Sequence, residues 1–176
     1  MTAASLRTIW WSITVIYVIV NYATLGVIPG IWKKINAILG GQGIILLLVI
    51  YSSIALALFV FLIFIKKERS LVRYLLLFLF IIVFLTMYLL EVNPGEKIHM
   101  FQYGTLGVLT YNALKVDFNR FGKALYLYGA LICFAAGALD EMIQWFLPNR
   151  WFTWHDVLIN GASGILTLLI IRFHVL

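Results

Sequence analysis

From Ile44 to Ile65 the chain passes without one charged side chain. After Lys66-Lys67-Glu68-Arg69 it runs apolar again from Leu71 to Leu90, broken only by Arg73. A helix rises 1.5 Å per residue, so about 20 predominantly apolar residues cross the ~30 Å hydrocarbon core of a bilayer. Two such runs in succession mark an integral membrane protein. Composition agrees, since only 11% of residues are charged where a soluble domain carries about 25%.

Six apolar segments are predicted, at about 8–28, 43–65, 72–91, 94–114, 122–146 and 154–173. The expected fold is an all-α integral membrane protein, a compact bundle of about six transmembrane helices forming a single domain over residues 1–176. The first segment is longer than the ~7–15 apolar residues of a signal peptide and has no small-x-small cleavage site after it, so it is expected to remain as a helix. The connection after it, with Pro29, Gly30, Trp32 and Gly40-Gly41, is expected to be partly an interfacial helix. The third segment, rich in Leu, Phe and Ile, reads as a lipid-facing scaffold. The fourth begins Asn93-Pro94-Gly95-Glu96, an N-cap, a proline at N1 and a glutamate at N3. It then carries His99, Gln102, Tyr103, Thr105, Thr110, Tyr111 and Asn112, too many hydrogen-bonding groups for a helix bathed in lipid.

The distribution of Lys and Arg gives an orientation. Nine of them (Arg7, Lys66, Lys67, Arg69, Arg73, Lys115, Arg120, Lys123, Arg172) fall on the side of the termini, and four (Lys33, Lys34, Lys97, Arg150) on the other. The positive-inside rule then puts both termini in the cytoplasm. Five of the seven acids (Glu91, Glu96, Asp140, Glu141, Asp156) and four tryptophans (Trp32, Trp145, Trp151, Trp154) gather on the opposite side. No basic stripe with interleaved aromatics points to nucleic acid. The one cysteine, Cys133, sits in an apolar run with no nearby histidine and reads as packing.

Charge inside or beside a membrane is costly, so its concentration near residue 140 suggests a functional site. Gly137, Asp140, Glu141 and Gln144 share one helical face, as do Asp156, Asn160, Ser163, Gly164 and Thr167. With His99, Gln102 and Tyr103 they lie at one predicted depth and are expected to converge on a pocket open to the outside. Other tasks compete for some of these residues. Thr153-Trp154-His155-Asp156 reads as a capping box with Asp156 at N3, where a carboxylate stabilises the terminus, Glu96 reads first as a cap, and Arg150 and His155 suit an interface. Lys97 and His99 are about 200° apart on a helix and cannot both face one pocket without distortion. Asp140 and Glu141 have no capping role, because the C-terminal end of a helix disfavours anions.

Glu96-Lys97-Ile98-His99, Tyr103, Asp140-Glu141-x-x-Gln144, Pro148-x-Arg150 and Asp156-x-x-x-Asn160-x-x-x-Gly164 together resemble the VanZ-like family over about residues 94–170. His99 follows Lys97 by two positions here, and His155 precedes the aspartate. The resemblance implies a multi-pass protein of the bacterial cytoplasmic membrane. It also implies Lys97, His99, Tyr103, Asp140, Glu141, Gln144, Pro148, Arg150, Asp156, Asn160 and Gly164 as recurrent positions, and a link to the cell envelope and to teicoplanin resistance.

Three classes of function follow as expectations. An enzyme acting on an envelope lipid or lipid-linked precursor would use Asp140, Glu141, His99 and Asp156 for acid–base chemistry, the acids' pKa values being pushed apart by burial and repulsion. Lys97, Tyr103, Gln144, Arg150 and Asn160 would hold the substrate, with Lys97 and Arg150 on a phosphate or carboxylate. Alternatively, a non-enzymatic binder or assembly factor would shield an envelope component or the lipoglycopeptide itself. A small transporter would place its charge at mid-membrane rather than at one rim. No cofactor or metal is expected, since His99, Asp140, Glu141 and Asp156 lack the HExxH-type spacing, and no G-x-S-x-G, Walker or Rossmann element is present.

Overall fold

The computed structural model describes residues 2–90, 96–117, 124–148 and 150–175. Seven helices are found among them: α1 (Ala3–Thr24), α2 (Ile28–Ile38), α3 (Gly43–Val60), α4 (Leu71–Leu90), α5 (Glu96–Asp117), α6 (Ala124–Trp145) and α7 (Trp154–Ile170). π-helical turns extend α3 through Phe61–Ile65 and α7 through Ile171–Val175. The cap expected from Asn93, Pro94 and Gly95 lies outside the described residues, as do Glu91, Arg120 and Lys123.

Among the described residues five stretches are long and apolar enough to cross a membrane: Ala4–Thr24, Ile45–Ile65, Leu71–Leu90, Ala124–Trp145 and Trp154–His174. The fourth expected span, now α5, is a full helix of 22 residues, but its polar side chains keep it out of that group. Protein covers most of it instead, with α7, α6 and α1 all packed against it. Met100, Leu106, Thr110, Ala113 and Leu114 are fully buried on its length. Such a helix is stable in a membrane only because its neighbours cover its polar groups. By contrast α3 and α4 expose Leu, Ile, Val and Phe along most of their surface, as a lipid-facing helix does.

The predicted interfacial stretch contains α2. Pro29 stands in its first turn, and Gly40 and Gly41, with φ of 59° and 85°, end it in the left-handed region that glycine favours. Asn36 accepts the Gly43 amide at 2.9 Å and so starts α3. Trp32 folds back into a core cluster with Leu47, Tyr88, Met100 and Ile159, which ties α2 to four other helices.

Close approach of α5, α6 and α7 depends on glycine. A Cβ on Gly164 would stand 2.6 Å from Cys133 Cβ and 3.3 Å from the Tyr103 carbonyl oxygen, and one on Gly107 would meet the Gly164 carbonyl at 2.8 Å. Gly164 therefore lies where three helices touch. Small residues at such positions are the usual means of helix association where lipid competes for every apolar surface. Cys133 is fully buried in that contact.

Candidate functional site

Adjacent residues on a helix point about 100° apart, and α6 uses this to send its two acids to different neighbours. Asp140 turns toward α5. Its Oδ2 accepts the Tyr103 hydroxyl at 3.0 Å and lies 3.0 Å from His99 Nδ1. His99 and Tyr103, one helical turn apart, hold their rings 6.4 Å apart and nearly parallel. The Tyr103 hydroxyl is also 3.1 Å from the Ala136 carbonyl oxygen, which accepts the Tyr22 hydroxyl at 2.8 Å. The other carboxylate oxygen, Oδ1, is buried and has no hydrogen-bond partner among the described residues.

Glu141 turns toward the connection between α6 and α7. Its Oε1 accepts Gln144 Nε2 at 3.1 Å, and its Oε2 accepts the backbone N–H of Thr153 at 3.3 Å. Gln144 Oε1 in turn accepts a guanidinium N–H of Arg150. Thr153 is the N-cap of α7, so the Glu141 carboxylate lies at the positive end of that helix and holds an otherwise unpaired donor. A glutamate at the unfavourable end of its own helix thus serves the favourable end of the next.

Asp156 completes the same helix start. The Thr153 hydroxyl oxygen accepts the Asp156 amide at 3.1 Å and donates to Asp156 Oδ2 at 2.6 Å, while His155 Nδ1 lies 3.3 Å from Oδ1. The sequence-predicted capping box is present with one change, because Glu141 rather than Asp156 takes the Thr153 amide. Asp156 is accounted for by capping.

The 200° separation of Lys97 and His99 has the expected consequence. Lys97 points to α4, where its Nζ donates to the Tyr88 carbonyl at 2.7 Å and lies 4.1 Å from the Tyr88 ring centroid. His99 points to α6. Asn160 packs beside Gly137, where an added Cβ would be 2.9 Å from Asn160 Cβ, and Asn160 Nδ2 is buried without a hydrogen-bond partner among the described residues.

Lys97, His99, Tyr103, Asp140, Glu141, Gln144 and Asn160 are all between 0 and 6% exposed. The polar ends expected to converge on one open pocket are instead buried in separate groups, Asp140 with His99 and Tyr103, and Glu141 with Gln144, while Lys97 sits apart against α4 and Arg150 and Asp156 are half-buried. A cavity of about 540 Å³ lies elsewhere, between α3, α4, α5 and α7. Among the described residues no group of three or more His, Cys, Asp or Glu side chains is arranged to hold a metal ion.

Sequence reasoning missed the contribution of α1. Besides Tyr22, Tyr17 donates to the Gln102 carbonyl at 3.0 Å, and Asn21 Oδ1 accepts Gln102 Nε2 at 3.2 Å. Tyr17 and Asn21 stand at i and i+4 in an apolar span, and that polar stripe was the available signal.

A helical bundle with five stretches fit to cross a membrane among its described residues, and a buried carboxylate, imidazole and phenol side by side, defines a multi-pass membrane protein with polar groups inside the bundle. The VanZ/LLP1 family model matches residues 7–175, and the chain belongs to that family. The match takes in the first half, which carries no motif, as well as the polar second half. No curated protein and no solved structure gives a significant match.

Proposed function

We propose that the protein binds or modifies a cell-envelope lipid or lipid-linked precursor through the Asp140–His99–Tyr103 cluster, with both termini in the bacterial cytoplasm and the cluster in the half of the bundle away from it. The carrying observation is Asp140: a carboxylate 2% exposed inside a membrane bundle, with one oxygen accepting the Tyr103 hydroxyl and 3.0 Å from His99 Nδ1, and the other unpaired among the described residues. A scaffold gains little from such a group, since burying a polar atom without a partner costs about 1–3 kcal/mol. A carboxylate 3.0 Å from a histidine ring nitrogen suits proton transfer to or from a polar head. Arg150, at the half-buried rim, suits a phosphate or carboxylate on that head, because its guanidinium offers a paired set of donors.

A second reading is favoured by the closure of the cluster. A non-enzymatic binder or assembly factor, one that shields an envelope component or a lipoglycopeptide, would keep these residues as a fixed hydrogen-bond network. Asp140→Asn separates the two, since an amide keeps much of the shape but cannot serve as a base. Teicoplanin susceptibility and lipid binding would be measured beside thermal unfolding in detergent. Loss of function at unchanged stability supports acid–base work, and retained function supports the binder. Orientation is tested by cysteines at Trp151 and Lys67 in a Cys133→Ser background, treated with an impermeant thiol reagent. Labelling of the first alone from outside supports the cytoplasmic termini, and the reverse pattern overturns them.

A further inference from the structure

The 540 Å³ cavity is a groove whose floor is the α5–α7 contact and whose walls are α3 and α4. It exists because α3 stands off from the bundle. Ser52 and Ala55 present small side chains to the gap, and Gly104 on the floor adds none. Its length can be read from the helices. The lining runs from Leu48 to Phe59 on α3 and from Leu77 to Tyr88 on α4, eleven residue steps each, or about 16 Å at 1.5 Å per residue. Half of a ~30 Å hydrocarbon core is about 15 Å, so the groove is as long as one leaflet is deep. It begins at the level where α4 ends and α5 starts.

Ser52, Thr105 and Thr167 are small hydroxyls in the lining, and the larger polar groups gather at that end. Tyr51 and Tyr88 turn their rings to it, while the Tyr51 hydroxyl donates to the Lys97 carbonyl at 3.0 Å and the Tyr88 carbonyl accepts Lys97 Nζ at 2.7 Å. Tyr51 is further fixed by stacking on Phe101 with 3.8 Å between centroids. These polar atoms are engaged, and what faces the gap below them is almost wholly hydrocarbon. Water has too few partners to settle in an apolar space of this kind, and a void would forfeit the dispersion contacts of every lining residue. Between membrane-crossing helices the available filler is a lipid chain.

We infer that the groove between α3, α4, α5 and α7 is a binding site for one acyl chain of a membrane phospholipid, entering sideways from the leaflet between α3 and α4. The site goes beyond the function proposed above. Met100, Gly104 and Val108 face it from α5, whereas His99 and Tyr103 engage α6, so the two sites occupy different faces of one helix.

The test uses the full-length protein in vesicles of phosphatidylethanolamine and phosphatidylglycerol, doped with a phospholipid that carries a diazirine midway along one acyl chain. After illumination, cross-linked residues are mapped by mass spectrometry. Ala55, Phe84 and Val108 should be labelled at least fivefold more than Leu127 and Leu131, which are exposed on α6. Ala55→Trp should remove most of the groove labelling and leave that of Leu127 and Leu131 unchanged, and Ser52→Leu should reduce it in part. Equal labelling of groove and outer surface in the unaltered protein would overturn the proposal without any variant, so misfolding of Ala55→Trp cannot hide the answer. Full groove labelling in a folded Ala55→Trp protein would overturn it too. His99→Ala should not alter the pattern, which keeps a failure here distinct from a failure of the polar site.

Discussion

Asp140 and Glu141 are neighbours in sequence, equally buried, and do different things. Glu141 has a partner for each oxygen, Gln144 on one and the α7 N-terminal amide of Thr153 on the other. Asp140 accepts one hydroxyl, that of Tyr103, at an oxygen that also lies 3.0 Å from His99 Nδ1, and has no partner on the other among the described residues. The first arrangement spends a charge on holding two helices and a turn together. The second leaves hydrogen-bonding capacity unused inside a membrane, where unused capacity is most costly. Burial and charge alone do not separate a clamp from a site; the state of the second oxygen does.

That contrast breaks most readily at Glu141. Glu141→Ala should strand Gln144 Nε2 and the Thr153 amide at once and remove a negative charge from the start of α7. The expected loss is about 2–4 kcal/mol, with function falling in step. Thermal unfolding in detergent checks it, and an unaltered melting temperature would mean that Glu141 is not a clamp.

His99→Gln and Asp140→Asn should behave in the opposite way. Stability is expected to change by about 1 kcal/mol or less, while a general acid–base role would cost about 10²–10⁴ in rate. Paired stability and lipid-modification or susceptibility assays give the comparison. If both measures fall together, as at Glu141, the two acids belong to one structural network.

Arg150→Lys sharpens the rim. Lysine keeps the charge and loses the planar fork, so binding of an anionic head group is expected to weaken about tenfold, with little change in unfolding. Titration with vesicles of graded phosphatidylglycerol content reads the effect directly, and equal binding by the two forms would remove Arg150 from the site.

The smallest effect belongs to Glu68, which does for α4 at the surface what Glu141 does for α7 in the interior. Its Oε1 accepts the amides of Ser70 at 2.9 Å and Arg69 at 3.0 Å, and its Oε2 pairs with the Arg73 guanidinium. The Ser70 amide foremost, with Arg73 and the Arg69 amide, holds its pKa below the ordinary 4.5. A carboxylate whose folded pKa is depressed adds stability above its unfolded value, and loses it as pH falls through the folded one. Melting temperature followed from pH 7 to pH 3 should therefore fall less steeply below about pH 4.5 in Glu68→Gln. An unchanged slope would remove Glu68 from the cap.

Much of this protein was legible from its residues because the membrane enforces a simple rule. Apolar runs of spanning length become helices, since no other open backbone arrangement satisfies its own hydrogen bonds in lipid. The same rule made α5 readable as an interior helix from its polar side chains, and Thr153 readable as an N-cap. The separation of Lys97 from His99 also followed from helical geometry alone. What the sequence could not supply was the partner of each polar group. Nothing in the order of residues tells that Tyr22 on α1 and Tyr103 on α5 share one carbonyl of α6, or that Glu141 caps a helix to which it does not belong. Nor does it tell that small side chains at Ser52, Ala55 and Gly104, distant in sequence, leave one groove. Helical period fixes the direction in which a side chain leaves its own axis. Which surface it meets depends on how seven axes pack, and that was decided by tertiary contacts such as the one that Gly164 permits.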